Sequence, residues 1–234
     1  STSVTATNAS GTAAAGPASR TAAAWIENKV EASDTRVTIE KSGKAAVEHR
    51  IRLHTNGNER FKQYRIRGVD PEARPLPNSY VVPARDALSG SLDAAVTLSL
   101  LSVRLPSKGG QDQGSELRID VDDERGLRRG RYVLVLRYET DLRQRGLIQR
   151  DGALVRIRYP GLRFADGVPN ARATFVLPAA PTAPRAVEDL EKIGRGDDVT
   201  VPSVYLSEVR RGAERDEVEI LRSYAPAGES VPWI

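Results

Sequence analysis

Four acids stand almost side by side in the segment ELRIDVDDERGLRRGRYVLVLRYETDL, at Asp120, Asp122, Asp123 and Glu124. Carboxylates at that density can hold a hard cation such as calcium, or divide the acid and base roles of a hydrolase. The calcium loop requires D-x-[DN]-x-[DN]-G and a later bidentate acid. Asp120 and Asp122 meet the first spacing and Glu124 takes the fifth position, so these three are the candidate metal ligands. Arg125 stands where glycine is wanted, and Arg128, Arg129 and Arg131 follow as cations that compete for the same carboxylates. The sequence therefore favours a solvated, arginine-balanced turn. Glycosidase chemistry needs two acids and no motif, but sugar sites stack rings on aromatics, which make up 5% of this chain.

The chain has two histidines, His49 and His54. Their odd separation puts them on opposite faces of a regular strand, where they cannot share a metal. His49 shares parity with Ile51 and Leu53 and reads as a hydrogen-bonded core histidine rather than a base. H-E-x-x-H, G-x-S-x-G, a Walker loop and a strand-bound G-x-G-x-x-G are all missing, and Ser89-Gly90-Ser91 falls short of a nucleophile elbow. No catalytic residue and no cofactor is assigned. Arginines two apart, at Arg50 and Arg52, Arg65 and Arg67, and Arg156 and Arg158, are the candidate anion-binding residues. On neighbouring strands they would form a ladder for phosphate, lipid headgroups or acidic glycans. The favoured alternative is a solvated face on which acids of adjacent strands neutralise them.

These residues sit in a 234-residue chain that is 39% hydrophobic, enough for a substantial core in one large domain or two small ones. A net charge of +4 is too weak a global field to expect a nucleic-acid partner. Without Cys there is no disulfide, thiol nucleophile or zinc-thiolate site. No apolar run approaches the roughly 20 residues of a membrane-spanning helix, so any membrane attachment is expected outside this segment. The chain has no Met, which reads as a processed product, and its closing Trp233 and Ile234 read as the start of a further apolar run.

Period-two alternation predicts the positioning elements. Val37 and Ile39, a turn at Lys41 to Lys44, then Val47, His49, Ile51 and Leu53 predict a hairpin. Asn56-Gly57 predicts a second, because both residues of a type I′ turn take positive φ, with Tyr64 and Ile66 inward on its return arm. The proline-rich DPEARPLPNSYVVPARD predicts an irregular crossover. Leu117, Ile119 and Val121 form one strand, and Tyr132, Leu134, Leu136 and Tyr138 with Val133 and Val135 behind them form a central strand buried on both faces. These two read as a hairpin joined through the acid cluster. A turn at Asp151-Gly152 places Ala153, Val155, Ile157 and Tyr159 inward, and Ala173, Phe175 and Leu177 share a face. PRAVEDLEKIG reads as two helical turns, and the runs around Gly212 as a last hairpin.

The run Leu117-x-Ile119-x-Val121 followed by GLRRGRYVLVLRYETDL and RGLI resembles a strand pair in the β-rich N-terminal domain of gluzincin aminopeptidases. Their zinc and substrate motifs lie in another domain, so the resemblance carries over no catalytic residue. Gly130, Tyr132 and the FVLP at Phe175 to Pro178 are also similar to exported N-terminal β-domains of uncharacterised bacterial membrane proteins. Both resemblances imply an accessory β-domain.

The fold expected is an all-β antiparallel sandwich, immunoglobulin-like or related, of ten to twelve strands with little helix. Residues 1–24 are expected to be a flexible tether, 25–184 the main sandwich, and 185–234 a β segment packed on it or opening a second small domain. The function expected is that of a non-enzymatic, extracytoplasmic module of a bacterial envelope or membrane protein, serving attachment, binding or assembly. Its partner would be another envelope protein or an anionic surface. The alternatives are a hydrolase or its substrate-positioning domain using carboxylates brought together by folding, and an anion-binding module using the arginines.

Overall fold

The computed structural model describes residues 25–106, 108, 114–186 and 205–222. The tether expected at 1–24, most of the helix expected at 184–194 and the closing Trp233 and Ile234 lie outside the described residues. Among those residues the all-β expectation holds: thirteen strands and one short helix.

Strands β1 (Ile26–Ile39) and β2 (Lys44–Gly57) form the predicted hairpin, with Val37 opposite Val47 and Thr35 opposite His49. Gly43 holds the turn at φ +95°, a conformation open to glycine at little cost. From Ala45 to Thr55 every second residue of β2 is buried and those between face outward. The central strand β8 (Gly130–Asp141) pairs with β2 from Lys44↔Asp141 to Thr55↔Gly130. Its other edge takes β5 (Tyr80–Pro83) and the two-residue β4 (Arg74–Pro75). From β5 the sheet continues through β6 (Val96–Arg104) and β7 (Ser115–Val121) to β3 (Gln63–Arg67). Beyond β1 it runs through β11 (Ala171–Pro178) and β13 (Arg215–Arg222) to β12 (Tyr205–Arg210).

Hydrogen bonding is thus continuous from β12 to β3, and the two wings share one core, as the layers of a sandwich do. Val37, Ile51, Leu134 and Leu136 from the centre belong to the same buried cluster as Ile66, Leu117 and Ile119 from the far wing. Val133 and Val135, on the other face of β8, are buried with Val82 beneath Ala84 and Ala87 of the six-residue helix α1 (Ala84–Ser89). The double-sided burial predicted for β8 is therefore real.

Four sequence expectations are corrected. First, β1 and β11 run parallel, with Val37 beside Phe175; alternation is the same in either direction and does not encode polarity. Second, Asn56-Gly57 is no hairpin turn. Both residues still pair with β1, opposite Glu27 and Ile26, and β3 pairs with β7 instead. Gly57 is required at φ +130° because a Cβ there would lie 2.4 Å from the Trp25 carbonyl oxygen. Third, β7 and β8 are not partners, so the acid cluster links two distant parts of the sheet. Fourth, the proline-rich segment is not irregular throughout; it supplies β4, β5 and α1 along the second edge of β8.

The turn at Asp151-Gly152 is correctly placed between β9 (Ile148–Asp151) and β10 (Leu154–Ile157). That pair forms a separate two-stranded ladder, and Ala153 and Val155 are exposed rather than inward.

Burial separates positions that look alike in sequence. Leu134→Ala, at a site with no exposure, is expected to cost about 2–5 kcal/mol in urea denaturation. Leu154→Ala, at a site 55% exposed, is expected to change stability by no more than about 0.5 kcal/mol.

Candidate functional site

The groups best suited to chemistry lie in a chain of hydrogen bonds inside the core. Thr35 on β1, His49 on β2 and Tyr138 on β8 point to the same side because their registers match. Thr35 Oγ1 is 2.8 Å from His49 Nδ1, His49 Nε2 is 2.7 Å from the Tyr138 hydroxyl, and that hydroxyl is 3.0 Å from the Tyr159 hydroxyl. All four residues are buried. Desolvation holds the His49 imidazole at a pKa of about 3, only slightly offset by the Glu48 charge. Burial pushes the Tyr159 phenol up to about 12 and that of Tyr138 well above the usual tyrosine value. At neutral pH every member is uncharged. With both ring nitrogens engaged, His49 is the core histidine the sequence predicted; its ring cross-links three strands and reaches no solvent.

Beside this chain lies Asp70, which sequence reading missed. Its carboxylate accepts from the Thr140 hydroxyl and, at 2.9 Å, from the Glu72 amide, and it pairs with Arg145 at 3.4 Å. Its carbonyl accepts from Ser102 Oγ at 2.8 Å. Asp70 thereby ties the entry of the proline-rich segment to β8 and β6. The available signal was Asp70-Pro71, a turn-initiating pair.

The acid cluster disperses. Asp120 accepts from Gln63 Nε2 at 2.6 Å across the β3–β7 pair, and Asp122 accepts from Ser99 Oγ at 2.8 and 3.0 Å. Asp123 turns back on its own loop, accepting the Arg125 amide at 2.8 Å, and Glu124 is exposed. The candidate metal ligands Asp120, Asp122 and Glu124 are therefore not brought together. Among the described residues no three acids or histidines are grouped to hold a metal. The loop is instead pinned where Phe61 and Leu127 exchange two backbone hydrogen bonds of 2.8 Å.

The arginine ladder does not assemble either. Arg50 and Arg52 are on β2, while Arg65 and Arg67 are on β3, with four strands between them. Arg156 lies on β10 in the separate ladder, and Arg158 follows it. Arg50 instead donates to one oxygen of Glu48 at 2.8 Å while Arg137 donates to the other at 2.8 Å. Burial opposes the ionised Glu48, but these two guanidiniums outweigh it and lower its pKa. Arg65 bonds Gln63 and lies 3.6 Å from Glu116. Along the outer face Arg36 meets Glu217 at 2.6 Å, and Arg172 lies between Asp34 at 3.6 Å and Glu219 at 3.9 Å. Acids on the same or neighbouring strands thus pair with Arg50, Arg65, Arg36 and Arg172.

One recess was invisible in the sequence because it is built from three remote segments. A cleft of about 130 Å³ is lined by Asn28, Tyr64, Arg65, Arg163 and Asp166. Burial and the nearby Asp166 carboxylate push the Tyr64 phenol up to about 12, so it offers a donor there. The cleft is slightly smaller than the roughly 150 Å³ that admits a benzene-sized molecule.

No family model and no curated protein matches this chain. Among solved structures it is similar to a proposed protease from Parabacteroides distasonis, with a TM-score of 0.43 and 14% identity over 87% of this chain. It is also similar to a variant of the M1 zinc metallopeptidase from Deinococcus radiodurans, with a TM-score of 0.41 and 12% identity over 85%. The chain spans 36% and 42% of the lengths of those two proteins.

The burial of His49 fixes one pH dependence. An unfolded histidine titrates near ~6.5, whereas folded His49 does so at about 3. The unfolded chain therefore binds a proton that the native state refuses, so stability is complete above that unfolded value and falls as the pH drops toward 3. Glu48 and Asp216 act with the same sign in a lower window. For Asp216, burial is outweighed by hydrogen bonds from the Gly212 amide, Arg211 and the Ala180 amide. Between pH 6.5 and 5 the His49 contribution alone is expected to fall by about 1.5 kcal/mol. Urea denaturation at the two pH values should show that loss in the wild type and largely lack it in His49→Gln.

Proposed function

We propose that this chain is a non-enzymatic accessory β-module of an extracytoplasmic envelope protein, serving attachment, binding or assembly. The observation that carries the proposal is the structural engagement of the groups best suited to chemistry. The imidazole of His49 is hydrogen-bonded at both nitrogens within the core, and Asp70 is held by Thr140, the Glu72 amide and Arg145. Asp120 and Asp122 are held by Gln63 and Ser99 on different strands. A buried, fully engaged network rigidifies a scaffold, and a rigid scaffold suits a module that presents surfaces. The Ser-, Thr- and Ala-rich sequence of 1–24 supports the attachment role, since small polar stretches act as tethers.

A second reading, as a substrate-positioning domain within a larger hydrolase, is favoured by the cleft at Tyr64, Arg163 and Asp166. There the chain would contribute contacts rather than reacting groups.

The purified chain is expected to turn over none of a panel of peptide, ester and glycoside substrates above a heat-inactivated control. The tagged product of the intact gene is expected in the envelope fraction of its native cell. Turnover lost in Asp70→Asn or His49→Gln would overturn the non-enzymatic reading, and recovery solely with the cytoplasmic contents would overturn the compartment. An Arg163→Ala change that raises KM of a parent hydrolase while leaving kcat unchanged would select the second reading.

A further inference from the structure

We propose that the β9–β10 hairpin is a membrane-contact element that rests on an anionic lipid surface; this builds on the attachment reading above and names its partner. Among the described residues the hairpin pairs with itself alone, from Leu154↔Asp151 to Ile157↔Ile148. Its base is fixed: Leu147, Ile148 and Ile157 pack against the main core, and the Arg158 amide donates to the Leu147 carbonyl at 2.8 Å. Among the described residues nothing covers its tip. Leu154 is 55% and Val155 56% exposed.

Consecutive strand residues point to opposite faces, so these two apolar side chains project from both sides of the same ribbon. A flat protein surface laid on one face would bury one of them and leave the other in water. A fluid interface that takes up the whole tip buries both. The charges fit the same medium. Between Ile148 and Arg158 the hairpin carries Arg150, Arg156 and Arg158 against the single acid Asp151. Arg150 is directly opposite Val155 and shares its face; in the register of the other face Leu154 stands opposite Asp151, and Arg156 follows Leu154 by two residues. Each face thus presents one aliphatic group, with Arg150 opposite Val155, and Asp151 is outnumbered in the hairpin by Arg150, Arg156 and Arg158. That is the arrangement of an interfacial anchor, with carbon in the acyl boundary and cations among lipid phosphates.

Two half-exposed aliphatic side chains and three arginines give reversible, salt-sensitive binding rather than permanent insertion. The full chain should float with phosphatidylcholine vesicles containing phosphatidylglycerol and not with phosphatidylcholine alone, and added salt should weaken the association. The double substitution Leu154→Ser with Val155→Ser should reduce the apparent affinity about tenfold or more. Its melting temperature should be unchanged, because both side chains are exposed. In Leu154→Trp the indole emission should shift to the blue on the anionic vesicles. Absence of binding to anionic vesicles at low salt would overturn the proposal, as would binding that survives the double substitution. Capture of the hairpin by a protein component of the envelope, without vesicle binding, would also overturn the lipid assignment. None of these failures alters the turnover and fractionation results that test the module reading itself.

Discussion

A strand from which water is excluded on both faces must find a partner for every backbone N–H and C=O along both edges, and β8 sets that requirement for the whole fold. Leu134, Leu136 and Tyr138 lie in the main core, and Val133 and Val135 lie in the smaller cluster behind it. One edge is met fully by β2. The other is met by the proline-rich segment, which is poor in donors. Between β4 and β5 the ladder is patched: the Arg137 amide donates to Ser79 Oγ at 2.9 Å, and the Arg137 carbonyl accepts from the Leu76 amide at 2.9 Å. Asp70 and Thr140 hold the start of the same segment in place. The prolines thus run along a strand edge, where the Leu76 amide and the Ser79 hydroxyl serve the Arg137 backbone between the two short ladders.

The polar chain through the core follows from the same packing. A buried hydroxyl or imidazole without a partner costs about 1–3 kcal/mol, and Thr35, His49, Tyr138 and Tyr159 satisfy one another. Their contacts join the β1–β2 hairpin to β8 and to the segment leaving β10, which lie far from it in the chain. Such a network fixes register, because a slip of one residue along β2 would bring Arg50 to the position of His49 and point a charge into the core.

What could be read from the sequence divides along the same line. Alternation reveals which face a residue takes, and it placed Val47, His49, Ile51 and Leu53 inward, His54 outward and β8 in the middle. It does not reveal which strand lies alongside, or in which direction. The parallel pairing of β11 with β1 was therefore not legible, nor was the separation of β2 from β3 that breaks up the arginine ladder. Asn56-Gly57 misled for a related reason: glycine marks a position where a Cβ cannot fit, and a close approach to the Trp25 carbonyl imposes that condition as strictly as a type I′ turn. The acids from Asp120 to Glu124 looked like a cluster because they are near in sequence. In the fold Asp120 meets Gln63 on β3 and Asp122 meets Ser99 on β6, while Asp123 bonds its own loop and Glu124 stays exposed.

Surface electrostatics complete the picture. Among the described residues the sheet ends at β12, an edge that would recruit foreign strands if left plain. It carries Glu208 and Arg210, and Arg210 reaches Glu217 and Glu219 at 3.7 Å on β13. At the opposite end, Arg67 of β3 bridges to Arg163, which covers part of that edge. Charge pairing guards one edge and a bridging loop the other, so strand addition is a poor route for a partner. Leu88 and Leu92 are exposed near α1, but there Asp86 and Asp93 outnumber Arg85, the reverse of the balance in the β9–β10 hairpin. The β9–β10 tip combines exposed aliphatic carbon on two faces with a local excess of arginine, in a ladder separate from the salt-bridged sheet.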